Sequence, residues 1–333
     1  MLYGARAMRI LSGIQPSGEP HLGNYFGAIE QHLRLQDQGD AFYFIADYHA
    51  LTTVHDAAKL RELTTEVGAI YLSLGLDPKR ATFFRQSDVP EVTELTWLLM
   101  VATGMGLLER AHSYKDKIAN NITPSVGLFT YPALMAADIL IYKSNVVPVG
   151  QDQVQHVEIA QDMAQSFNAA FKNEVFVRPE PRLSKTPKVP GIDGRKMSKS
   201  YGNAIPIFAR GKRLKKLVGT IATDSKDYTT EPLDPTTDKV FALYELFATE
   251  DEKAAMVDRY VNDRAFGYGH AKQALMAKME ERFGPAADRF EALKANPSEV
   301  EDVLREGAKR ARAIARQTLD EAREAVGLGR MLT

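Results

Sequence analysis

An α/β fold with a Rossmann-like parallel-sheet domain followed by a C-terminal α-helical domain is predicted by three features. Apolar strand-like runs alternate with helical segments as far as residue 200, the runs are near-continuous rather than alternating, and strand signals stop past Tyr201. Strands read this way when helices cover both faces of a parallel sheet. Arg9–Ile14 opens the series as a buried strand, and residues 23–38 follow as a helix with Tyr25, Phe26, Ile29 and Leu33 on one side. Residues 41–46 form the second run, after which a helix starts at Asp56 as N-cap and ends near Gly75. Residues 81–86 are the third. Residues 146–150 are the fourth, feeding a helix over 152–167 that Asn168 caps. Beyond it, helices are expected over 239–248, 270–283 and 298–326, with 228–238 and Gly284-Pro285 as loops or helix starts. The division is therefore 8–206 for the α/β domain and 207–333 for the helical one, with residues 1–7 as an upstream extension.

Composition narrows the function classes. The chain has 333 residues, 44% hydrophobic and 26% charged, which describes an ordinary soluble domain pair. No apolar run approaches the roughly 18 residues that span a bilayer, and no secretory leader is evident, so a cytoplasmic protein without a membrane partner is expected. The absence of cysteine excludes disulfides, thiolate nucleophiles, zinc–thiolate sites and cysteine-held iron–sulfur clusters. A formal net charge of −1 gives no overall pull on nucleic acid. Any RNA contact must use local basic patches, and no DNA partner is expected.

Two glycine-bounded segments suggest anion chemistry. Residues 13–24 form a strand-to-helix turn, where unpaired backbone N–H groups and the helix dipole favour phosphate. Gln15, His21 and Asn24 add donors, and Gly18 and Gly23 allow close approach. Alone, this turn is equally a capped helix start with a surface histidine. Residues 194–203 place Lys196 and Lys199 three apart in a small polar loop, with Ser198 and backbone N–H groups beside them. Lysines so spaced are commonly solvated surface; in a loop closing an α/β domain they suit a phosphate clamp that can also act as a gate.

A third segment, 130–142, sets one carboxylate inside an apolar helix. Tyr131, Met135, Asp138 and Tyr142 share a face. A buried ionised Asp138 needs a donor, and an indole N–H, a phenol, a buried lysine or a backbone N–H would each serve. His156 and Glu158 are two apart on a helix and face different ways, so no protein-held metal is assigned. Basic residues gather at 210–216 and at Lys309, Arg310, Arg312 and Arg316. The second set is interleaved with Glu306, Asp320, Glu321 and Glu324, and reads as phosphate-binding or as a salt-bridged surface. Trp97, among Leu95, Leu98 and Leu99, reads as core or dimer packing.

His21-Leu22-Gly23-Asn24 and Lys196-Met197-Ser198-Lys199-Ser200 resemble the two signatures of class I aminoacyl-tRNA synthetases, with Asn24 in place of a second histidine. That asparagine, the preceding Gln15-Pro16-Ser17-Gly18, and segments 130–142 and 147–156 resemble bacterial tryptophanyl-tRNA synthetases, a likeness that covers nearly the whole chain. The resemblance implies tryptophan activation by ATP to tryptophanyl-adenylate, with release of pyrophosphate, then transfer to the 3′ end of tRNA(Trp). It implies that Lys196, Lys199 and Lys117 meet the ATP phosphates, although Lys117 beside Lys115 and Asp116 is also consistent with a surface ion-pair cluster. Gln15 is placed with these lysines in catalysis. It assigns ATP contacts to Gln15, Pro16, Ser17, His21, Gly23, Asn24, Gly150, Gln151, Asp152, Met197, Ser198 and Ser200. Asp138 would bond the indole nitrogen, Tyr131 and Gln153 the amino group, and Met135, Val147 and Val149 the ring, with His49 close by. Leu11 stands where relatives carry an aromatic residue, and Gln151 where they carry glutamate. Magnesium would arrive with ATP, the helical domain would read the anticodon, and tRNA would bridge a homodimer. The alternatives are a tyrosyl-tRNA synthetase and a non-catalytic paralogue that binds tryptophan or nucleotide.

Overall fold

Strands β1 (Arg9–Ile14), β2 (Asp40–Ile45), β3 (Ala81–Arg85), β4 (Val146–Val149) and β5 (Glu180–Leu183) form one parallel sheet in the order β3-β2-β1-β4-β5. The computed structural model describes residues 8–111, 125–183, 188–224 and 233–331. Four of the strands fall on the expected runs. The fifth was not expected: Glu-Pro-Arg-Leu is a mostly exposed edge strand, where proline is tolerated and no apolar run is needed. The chain winds outward through β2 and β3, then returns to set β4 on the other side of β1. The strand order therefore reverses between β1 and β4, and a crevice opens at their carboxyl ends.

Each sheet face has its own core. Leu11, Phe42, Phe44, Phe84, Val147 and Val149 lie under α5 (Glu91–Val101), α7 (Val126–Ile141) and α8 (Val154–Ala170). Between α5 and α7 runs the short α6 (Met105–Glu109). Ala41, Tyr43, Ile45, Ala81 and Phe83 face the opposite way. Over them lie the first helical segment, which is α1 (Leu22–Asn24), a π-helical turn (Tyr25–Ile29) and α2 (Glu30–Leu35), and also α4 (Ala57–Ser73). The short α3 (Asp47–Ala50) follows β2. The later helices α9 (Gly211–Gly219), α10 (Lys239–Tyr244), α11 (Glu250–Asn262) and α12 (Tyr268–Ala295) continue this second core through Leu214, Val240, Met256 and Phe283.

Two local expectations are corrected. Gly284-Pro285 neither starts nor ends a helix but lies inside α12. Phe283, Ala287 and Phe290 are buried on either side of it, so packing outweighs the missing proline N–H, and the Arg210 guanidinium donates to the Gly284 carbonyl. Asn168 does not cap α8, which runs to Ala170; its Oδ1 accepts the N–H groups of Val175 (3.1 Å) and Phe176 (3.3 Å) and pins the loop toward β5.

The last helix, α13 (Pro297–Ala325), returns to the sheet and crosses the open edge of β3. Val300 and Leu304 enter one core, and Ala308, Ala311, Ala315, Leu319 and Ala322 the other. At the crossing sits Gly307, where an added Cβ would stand 1.8 Å from the Phe83 carbonyl oxygen. Arg310 donates to the Pro78 carbonyl at 2.7 Å, and the edge that would otherwise offer unpaired groups is covered. Glu91, buried on α5, receives Arg312 at 2.8 Å and Arg316 at 3.0 Å. Arg310, Arg312 and Arg316 are thus spent on a carbonyl and an internal acid, and Lys309 pairs with exposed Glu306 at 3.2 Å, which favours ion pairing over phosphate contact for that cluster. Gly307→Ala is expected to cost roughly 3 kcal/mol or more, because the obstacle is backbone and cannot rotate away. Urea denaturation checks this; a midpoint equal to the parent's would show that the helix does not depend on this close approach.

Candidate active site

The carboxyl ends of β1 and β4 bring the two anion motifs to one crevice. His21 is the N-cap of α1: its Nδ1 accepts the Asn24 N–H at 3.3 Å, and Asn24 Oδ1 accepts the His21 N–H at 3.1 Å. This reciprocal box gives the asparagine at the fourth position a structural role, since an acceptor is needed there. Gly23 leaves space for the histidine ring, whose Cε1 and Nδ1 would lie 3.0 Å from an added Cβ. Gly18 has φ +78°, in the left-handed region that favours glycine, and turns the chain between β1 and α1.

Segment 20–22 is clamped to 205–207, with the Leu22 N–H on the Ile205 carbonyl and the Ile207 N–H on the Pro20 carbonyl, both at 3.0 Å. This pairing carries the lysine loop to the turn. Lys199 Nζ donates to the Ser17 carbonyl at 2.6 Å, across a cleft of about 710 Å³ lined also by Gln15, Pro16, Gly18, Glu19, His21 and Glu66. Burial pushes the Lys199 ammonium down, while Glu66 and Glu19 pull it back up. Lys196 is exposed, Ser198 and Ser200 share a hydroxyl contact of 2.8 Å, and Met197 is buried beneath the loop with its N–H on the Val189 carbonyl. The loop's shape depends on Asn203, which the sequence did not single out. It is 2% exposed; its Oδ1 accepts the Ser198 N–H at 2.8 Å, and its Nδ2 donates to Asp193 at 2.8 Å and to the Lys196 carbonyl at 3.2 Å. The Asn203 amide, with Arg195, holds the Asp193 carboxyl down to about 2.

Beside this cleft, and joined to it by Gln15 and Thr53, lies a cavity of about 350 Å³. Its size suits a small ligand. Leu11, Phe44, Val147 and Val149 form the wall on the sheet, with Met135, Tyr131 and Asp138 from α7 opposite and His49 and Gln153 at the sides. At Gly13 an added Cβ would meet Phe44 Cζ at 2.6 Å, so the Phe44 ring leans over that glycine and supplies an aromatic surface beside Leu11. Tyr131 Oη is 2.8 Å from His156 Nε2. Asp138 is 1% exposed; its Oδ2 is 2.9 Å from His49 Nε2, and both of its oxygens accept from Gln86. Burial pushes the Asp138 carboxyl up, and the His49 and Gln86 donors hold it back. Gly150 and Gln151 stand at the end of β4, Gln151 exposed. Lys117 and the Asp152 side chain lie outside the described residues.

His21 is pushed down to about 4, first by burial and then by the Lys199 charge, so with Nδ1 accepting it offers a neutral Nε2–H to an anion. In the unfolded chain it titrates near 6.5. Between these values the unfolded chain binds a proton that the folded one refuses, and stability falls as pH drops through that window. His21→Asn, which can still cap the helix, is expected to lose roughly 1–2 kcal/mol less than the parent between pH 7 and 5. Parallel urea titrations check it; equal losses would place His21 in solvent.

Residues 4–284 match the family described as tRNA synthetases class I (W and Y). The chain is 53% identical over 322 residues to a tryptophan–tRNA ligase of Rhodopirellula baltica, covering 96% of this chain and 100% of that one. A tryptophan–tRNA ligase of Fusobacterium nucleatum is 52% identical over 321 residues, 96% and 98% covered. The crystal structure of the Campylobacter jejuni tryptophanyl-tRNA synthetase complexed with ADP and tryptophan is similar with a TM-score of 0.91 and 45% identity, over 96% of this chain and 100% of that one.

Proposed function

Because the chain belongs to the class I tRNA synthetases for tryptophan and tyrosine, we infer that it is a tryptophan–tRNA ligase that uses ATP. One observation carries an amino acid whose side chain ends in a donor: a fully buried carboxylate, Asp138, in an otherwise apolar cavity that opens onto the cleft of His21 and Lys199. The choice of tryptophan over tyrosine is supported by the identity to tryptophan–tRNA ligases. A tryptophan carboxylate oxygen attacks the α-phosphorus of ATP, and the bond to pyrophosphate breaks. The terminal ribose hydroxyl of tRNA then displaces AMP from the adenylate. No protein nucleophile is needed, since alignment and charge stabilisation suffice.

Asp138 accepts the indole N–H, Tyr131 and Gln153 hold the ammonium, and Met135, Val147, Val149, Leu11 and Phe44 enclose the ring. His21, Asn24 and the turn 15–18 hold ATP, with Gly150, Gln151 and Asp152 on its nucleoside side. Lys199 exchanges the Ser17 carbonyl for a leaving-phosphate oxygen, with Lys196, Lys117, Ser198 and Ser200 beside it. Magnesium comes bound to ATP. Among the described residues no group of three or more acidic or histidine side chains is placed to hold a metal ion.

Residues 8–206 are assigned the reaction and 207–333 the tRNA anticodon. Lys212, Lys215 and Lys216 on α9 are exposed and carry no ion pair among the described residues, which suits contact with phosphates. No described helix is long and apolar enough to cross a membrane, and a cytoplasmic site of action is assigned with the activity. A homodimer is also proposed. Trp97 (63% exposed), Val101 (61%) and Met105 (63%) are large apolar side chains left exposed, and the exposure excludes the core reading of Trp97. Sedimentation at micromolar concentration is expected to give a dimer of this 37.0 kDa chain; a monomer that still charges tRNA would remove the proposal.

Charging tests the function: labelled tryptophan should become acid-precipitable only with ATP and tRNA(Trp). Charging of tyrosine would move the chain to the other branch of its family. Tryptophan binding without charging would make it a non-catalytic paralogue.

A further inference from the structure

Asp138 takes one of its two donors from a strand end outside every motif described above. Gln86 opens the turn after β3 and is 1% exposed. Its Oε1 accepts the Tyr48 N–H at 3.1 Å. That bond fixes the orientation of the amide, so the group turned toward Asp138 is the NH2, 2.9 Å from Oδ1 and 2.8 Å from Oδ2. The neighbouring residue Ser87 gives its N–H to Asp47 at 3.0 Å, and Asp47 also takes the Tyr48 N–H at 3.1 Å. The carboxyl ends of β2 and β3 are thereby tied together, and the Gln86 side chain has one position.

We propose that Gln86 is a positioning residue for amino-acid selection: by donating to both oxygens of Asp138, it aims the remaining lone pairs into the cavity and keeps the group an acceptor. The proposal rests on the reading of Asp138 as the partner of the indole N–H. A carboxyl in this cavity is driven toward its neutral form by burial and by the nearby Asp47 charge. Once neutral it would carry an O–H and lose its preference for a ligand that can only donate. Glutamine opposes that shift without bringing a charge of its own. A cation there would saturate the carboxylate, and a second carboxylate would force a shared proton.

The test uses ATP–pyrophosphate exchange with tryptophan and with β-(3-benzothienyl)alanine, in which sulfur replaces the ring N–H. Gln86→Met keeps the size and removes the donor. It should raise the KM for tryptophan roughly 10- to 100-fold and lower the preference for tryptophan over the analogue by a similar factor. The KM for ATP and kcat at saturating tryptophan should stay within about twofold. Gln86→Glu keeps the acceptor for Tyr48, and so the tie between β2 and β3, and should show the same pattern; it carries the test if the methionine variant fails to fold. A tryptophan KM within about twofold of the parent's would overturn the proposal, as would equal damage to both KM values and kcat with the preference unchanged. A parent enzyme with no preference for tryptophan over the analogue overturns the underlying reading of Asp138 as well.

Discussion

Lys199→Ala is expected to slow adenylate formation by roughly 100-fold or more, and Lys196→Ala by less, with tryptophan binding almost intact. The asymmetry follows from position. Lys199 lines the cleft, its Nζ on the Ser17 carbonyl, whereas Lys196 is not among the residues that line it. The Lys199 ammonium already has a carbonyl partner, so in the proposed role binding ATP would exchange one partner for another. As the α-phosphate bond breaks, charge builds on pyrophosphate and the interaction strengthens, which places the loss in kcat. Pyrophosphate-exchange kinetics on the purified variant measure it. Unchanged kinetics for Lys199→Ala would remove the clamp from the mechanism.

Asp138→Ala is expected to raise the tryptophan requirement strongly and to weaken discrimination against phenylalanine, by roughly 100-fold or more in the ratio of kcat/KM values. Two effects add. In the proposed binding mode the indole N–H would lose its acceptor, and the Gln86 amide, at 1% exposure, is left with a buried unpaired donor. Asp138→Asn keeps the shape but sets an amide against the His49 and Gln86 donors, and the same direction is expected. If either variant bound tryptophan as tightly as the parent in equilibrium dialysis, Asp138 would be a structural residue.

What could be read from sequence was what is local. Strands β1 to β4 announce themselves as apolar runs, the lysine loop and the 15–24 turn are contiguous, and Asp138 stands out as a charge in an apolar helix. Partners distant along the chain carry no such signal. Gln86 and Asp138 are separated by 52 positions, and a glutamine at the end of a buried run looks like any strand terminus. Phe44 could be read as core, but its reach over Gly13 depends on the pairing of β1 with β2. The residues of α13 were visible as a basic helix; that they meet Glu91 and the edge of β3 follows only from the path of the chain. β5 left no trace because an exposed edge strand buries little apolar surface.

ATP–pyrophosphate exchange run separately with each of the natural amino acids tests activation and specificity together. Exchange that depends on tryptophan is expected, with tyrosine and phenylalanine far below it. Exchange driven by tyrosine, or none with any amino acid, would contradict a tryptophan-activating enzyme.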